Sequence, residues 1–165
     1  MAVQVPSLAD DDDIRAYTSG DSHTLAVALH RRFGWRILVV TDVRDPYWRN
    51  PVNPEDDIPC VVHVYAIDGH GDAWDIRGKR DRAAVRDDCY EFFNVLDFNE
   101  EVCDDEDDLS FYVGVWSDSG EPIERPLPYY SEQDISTAEA VIVRAFPNVP
   151  VALIEATPSQ PRFPR

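Results

Sequence analysis

Long apolar runs are missing from this chain of 165 residues. The longest are a few residues each, so nothing in the sequence spans a bilayer as a helix. Basic residues are scarce. Fifteen Lys and Arg face 32 Asp and Glu, for a net charge of -17. That balance argues against direct binding of nucleic acid and against an anionic membrane surface. Cysteine is sparse as well, with three residues, an odd number and no CxxC spacing. Neither a disulfide framework nor a zinc site is encoded, and nothing implies a cofactor. The opening MAVQVPSLADDDD has no basic start followed by an apolar stretch, so no secretory signal is expected and the protein reads as cytoplasmic with reduced thiols. Aromatic residues are not lacking. Four Trp, seven Tyr and seven Phe can build a core, which excludes global disorder.

The length suits one domain. Residues 1–18 read as an acidic lead-in carrying Asp10 to Asp13, residues 19–150 as one α+β domain, and residues 151–165 as a Pro-rich tail. From Ser22, the positions Leu25, Ala26, Leu29 and Phe33 recur at helical spacing. Asp21 suits the N-cap and Gly34 the stop. Trp35 to Thr41 reads as a central strand, and 42–59, with four prolines, as a long loop. Cys60 to Ile67 and Asp72 to Ile76 read as a hairpin around Gly69. A helix is expected over 81–96, a solvated mobile acid loop from Asp97 to Asp108, a strand over Leu109 to Trp116, and a last helix over Ile135 to Phe146 capped by Ser131 or Asp134. The expected fold is a helix packed on a mostly antiparallel sheet, with further helices covering it.

Three residues stand out against that frame. Ser22 opens the first helix on the side of its apolar stripe, where unpaired N–H groups and the positive dipole end favour a developing anion. If the hairpin centres on Gly69, paired positions sum to 138 and His63 faces Asp75. Directly opposed residues have Cβ atoms about 4.5–5.5 Å apart, close enough for a carboxylate to orient an imidazole. A slip of one residue would send them to opposite faces. The plain alternatives are a capping role for Ser22, a structural role for His63, and pairing of Asp75 with Arg77 or another cation. His23 should point away from the stripe, His30 reads as surface and His70 as solvated. Cys60 and Cys89 read as inert, and Cys103 stands among acids that raise its thiol pKa.

The segments GDSHTLAVALHRRFGW, VVHVYAIDG and AWDIRG together resemble small papain-like or transglutaminase-like cysteine hydrolases over residues 19–78. In such domains a Cys opens the helix, a His lies on a strand, and an Asp or Asn lies on the next. The resemblance implies a papain-like core with Ser22 in the nucleophile position, His63 as base and Asp75 orienting it. The departure is the Ser itself. An active serine variant, a pseudoenzyme and a Cys→Ser replacement all fit, and the expectation for the chain as written is weak activity or none. The acid tract carries the competing reading. Asp104, Asp105, Asp107 and Asp108 would form a face that docks on a basic, nucleic-acid-handling protein, as acidic nuclease inhibitors, immunity proteins and anti-CRISPR proteins do. EF-hand spacing is absent. The run Arg77, Lys79, Arg80, Arg82 and Arg86 either neutralises nearby acids or meets an anionic substrate.

Overall fold

The computed structural model describes residues 4–94 and 97–150. The chain is α+β, with a six-stranded sheet whose pairs are all antiparallel. In chain order the main elements are β1 (Val5–Pro6), α1 (Asp11–Ser19), α2 (Ser22–Phe33), β2 (Arg36–Trp48), β3 (Ile58–Ile67), β4 (Ala73–Asp75), β5 (Gly78–Arg80), α3 (Arg82–Phe93), β6 (Phe98–Cys103), α4 (Glu106–Ser110) and α5 (Glu132–Ala145). Two short strands, β7 (Val115–Trp116) and β8 (Pro122–Ile123), form a separate ribbon. The sheet order is β1-β5-β4-β3-β2-β6.

Helix α2 forms where its apolar stripe runs, and Gly34 ends it in the left-handed region at φ 70°, its N–H returned to the His30 carbonyl. Leu25, Ala26 and Leu29 pack with Ile37, Val39, Val64 and Ala66 of the sheet and with Ile135, Ala138 and Ile142 of α5. The other sheet face is smaller. Leu38, Val40, Tyr65 and Ile67 meet Val85 and Cys89 of α3 there. The alternation of strand side chains therefore divides the core between two helical layers. The expected extension of α3 to Leu96 lies outside the described residues, as does the tail from residue 151.

Several segments differ from expectation. From residue 4, the described part of the lead-in holds β1 and most of α1. Asp10 caps α1 by accepting the Asp13 amide at 2.9 Å, and Asp11 to Asp13 fill its first turn, where carboxylates meet the positive dipole end. Strand β1 runs beside β5, so closely that a Cβ on Gly78, at φ 107°, would sit 2.1 Å from the Val5 carbonyl. The loop expected over 42–59 is taken up in part by β2, which continues to Trp48 through three register irregularities. The acid tract is not a mobile loop. Its first half is β6, paired with β2, and its second half is α4, capped by Asp105. That cap also replaces the strand expected from Leu109, because Asp105 accepts the Asp108 amide and turns the chain into a helix. At α5, Ser131 and Asp134 form a reciprocal capping box, so both candidate caps act together.

Candidate functional site

The hairpin register decides the site. Ala66 pairs with Trp74 and Ile67 with Ala73, so paired positions sum to 140, two more than expected. Asp68 causes the longer turn. Its Oδ1 accepts the amides of His70 (2.9 Å) and Asp72 (3.1 Å), while its Oδ2 accepts the Trp74 indole N–H at 3.0 Å. A shift of two residues preserves the face, where a shift of one would have reversed it. His63 is thus the diagonal rather than the direct neighbour of Asp75, still within reach of its longer side chain.

His63 Nε2 lies 3.5 Å from Asp75 Oδ2, and both residues are buried, 7% and 3% exposed. Asp75 has further partners. Its Oδ1 accepts the Arg77 backbone N–H at 2.8 Å, and its Oδ2 accepts Arg80 Nη2 at 2.5 Å. Burial alone would push this carboxyl up. The adjacent His63 imidazole and the Arg80 charge outweigh it and hold the pKa below the usual carboxylate range. Arg80 also reaches Asp88 of α3, which the Arg77 guanidinium contacts too. Two arginines and two aspartates therefore lock the β4–β5 turn to α3.

Ser22 lies at the first position of α2 and is buried, but no hydrogen bond joins it to His63 among the described residues. Instead its Oγ accepts the Val64 amide at 3.3 Å. Strand β4 pairs with β3 only at Ala66 and Ile67, which leaves the Val64 N–H to take the serine. Alternation along β3 sends Val64 toward α2 and His63 toward α3, where its ring packs 6.1 Å from that of Tyr65. Ser22 thus meets the strand at its backbone, one residue from the imidazole. The amides of Ser22 and His23 donate to no acceptor among the described residues, as the first turn of a helix allows.

A cavity of about 300 Å³ opens onto His63. Thr18 and Ser19 at the end of α1, Arg77 and Arg80, and Asp88 and Cys89 of α3 line it with Val85. No sequence signal marks Thr18, Ser19 or Asp88, because they converge only through the docking of α1 and α3.

The other candidates fall elsewhere. His23 is fully buried, contrary to its expected outward orientation. Its Nε2 meets the Pro128 carbonyl at 3.0 Å and its ring packs edge-on to Tyr130, because α5 and the segment before it cover that side of α2. Burial lowers its pKa, more than the Pro128 carbonyl raises it. His30 is half-buried on the Trp35 carbonyl, 2.6 Å from Nδ1, rather than at the surface, and His70 is exposed. All three cysteines are free thiols. Burial, then Asp88, pushes Cys89 up to about 12, and burial, then Asp108, does the same to Cys103. Burial with Asp45 and Asp42 also raises Cys60.

Asp104, Asp105, Asp107 and Asp108 are all exposed, and none is in an ion pair among the described residues. The basic run is largely consumed internally. Lys79 pairs with Asp72 at 2.8 Å, and Arg82 and Arg86 pair with Glu100 at 2.8 and 3.4 Å. Among the described residues no three His, Cys, Asp or Glu side chains group as a metal ligand set, and no helix is long and apolar enough to cross a membrane. No protein family, no curated protein and no solved structure matches the chain.

Proposed function

We propose that the protein is a papain-like amide hydrolase or acyl-transfer scaffold, weakly active or inactive with serine at position 22. The buried His63–Asp75 contact beside the N-terminus of α2 carries this reading. In it, Asp75 accepts the Nε2 proton of His63 and leaves Nδ1 as the basic nitrogen. In this structure Ser22 and the His63 ring lie on opposite sides of β3, so no proton passes between them and the chain is inactive as folded. In an active arrangement the hydroxyl leaves the Val64 amide, gives its proton to Nδ1 and bonds the carbonyl carbon of an amide or ester. The carbonyl oxygen, now anionic, is met by the amides at the start of α2, and His63 returns the proton to the leaving group. A hydroxyl is far less acidic than a thiol, so the same histidine activates it less.

Replacing Ser22→Cys tests this by alkylation. The introduced thiol should react with iodoacetamide at least about tenfold faster than Cys60, Cys89 and Cys103, as read by peptide mass spectrometry, because only position 22 combines a helix N-terminus with a nearby histidine. Adding His63→Ala should remove the advantage. Equal labelling of all four thiols, or indifference to His63→Ala, would exclude an activated site.

A separate observation favours a second reading. The four exposed aspartates at 104, 105, 107 and 108 have no cationic neighbour in an ion pair among the described residues, as a docking face for a basic protein would require.

A further inference from the structure

Apart from the His63 cavity, a cleft of about 470 Å³ lies between the β7–β8 ribbon and the chain leading into α5. Its floor forms where Gly114 donates to the Leu127 carbonyl at 2.8 Å and Leu127 donates to the Tyr112 carbonyl at 2.9 Å. A Cβ on Gly114 would press to 3.2 Å from the Ile123 carbonyl, so the two segments close on each other there. The walls are aromatic and exposed: Trp116 at 61%, Tyr129 at 59% and Tyr47 at 44%, with Ile123 at 45%. Pro122, Pro126 and Pro128 complete the lining. Large aromatics left in water around one groove mark a binding surface more often than a packing accident. Exposed aromatic walls suit an extended polyproline II segment, which loses little entropy on binding. The cleft also has a polarity. Glu124 and Arg125 both line it; Glu124 is exposed, and the Arg125 guanidinium is engaged by the Phe111 carbonyl and ring.

The sequence contains a segment of matching chemistry. Pro158, Pro161 and Pro164 recur every third residue, and Arg162 and Arg165 recur at the same interval. A polyproline II helix has three residues per turn, so this spacing would give one proline edge and one arginine edge. The segment 158–165 has two arginines and no acid in a chain of net charge -17. Reach is sufficient. The cleft lies by the N-terminal end of α5, whose 14 residues cover about 21 Å. The eight residues 151–158 can span roughly 26 Å when extended.

We propose that this cleft is the docking site for the chain's own segment 158–165, prolines against Trp116 and Tyr129 and arginines toward Glu124. This is independent of the His63 site. The full chain tests it by nuclear magnetic resonance. Changing Pro158, Pro161 and Pro164 together to Ala should shift the Trp116 indole N–H and the Tyr129 ring signals, and leave the buried Trp74 indole in place. Adding a synthetic peptide of residues 151–165 to that variant should move the Trp116 signal back in a saturable manner, and Trp116→Ala should abolish the remaining response at Tyr129. An unmoved Trp116 signal in the triple variant would overturn the proposal. So would a shift that depends on protein concentration, which would assign the cleft to a second copy.

Discussion

His23 is a residue whose ionisation the fold opposes within the physiological pH range. It follows Ser22 on α2, has no exposed surface, and is held neutral by burial against Tyr130 and the Pro128 carbonyl. Its folded pKa lies below the ordinary value of about 6.5. Above that value both folded and unfolded chains are neutral at this position. Below it the unfolded chain takes up a proton that the folded chain refuses, so stability falls as pH drops. Asp75 does not share this window. Its pKa is lowered, so its contribution is complete above about 3.9 and is lost only as pH falls further. The urea midpoint should therefore decline between pH 7.5 and 5.5, and His23→Gln should flatten that decline. A midpoint that rises on acidification would reject the assignment. The burial of His23 is not legible in the sequence, because helical spacing gives only a residue's azimuth on α2. Whether α5 covers that azimuth depends on a contact more than 100 residues away.

Elements differ in how locally they are specified. Helix α5 is announced by its own first turn. The Ser131 Oγ accepts the Asp134 amide at 3.3 Å, and the Asp134 carboxylate accepts the Ser131 amide at 2.7 Å. Ser131→Ala should cost about 1 kcal/mol in urea unfolding. A loss indistinguishable from zero would mean that packing of Ile135, Ala138 and Ile142 alone holds the helix. The same chemistry at Asp10 and Asp105 starts α1 and α4. There it is hidden, because runs of aspartate read equally as solvated loops and as helix starts. The hairpin is the instructive case. A Gly-rich turn is legible, but its length depends on the Asp68 carboxylate gathering two amides and an indole. Because the resulting shift is even, His63 and Asp75 keep a common face and the pair still meets.

At the scale of the whole molecule, charge is the dominant property. Ion pairs such as Arg31 with Glu106 and Glu132, or Arg144 with Asp13, absorb part of the acid and tie helices together. Asp104, Asp105, Asp107 and Asp108 remain outside such pairs among the described residues. Attraction between exposed charges is screened over about 8 Å at physiological salt, so a basic partner should sense them mainly through its association rate. Replacing the four by Asn keeps size and capping ability. On the docking reading the on-rate for a basic partner falls and its salt dependence flattens, while alkylation of the Ser22→Cys form is unchanged. A partner indifferent to both the substitutions and added salt would leave this face a solvated one. Composition and periodicity by themselves determined the α+β class, α2, the central strands and the acidic surface, since these follow from local spacing and from sums over residues. Tertiary structure decided the rest. It gave Ser22 the Val64 amide instead of the imidazole, shared Asp75 between His63 and Arg80, and turned part of the acid tract into an edge strand. Those outcomes depend on which distant backbone groups lack a partner and which carboxylate a distant cation reaches, and no local spacing carries that information.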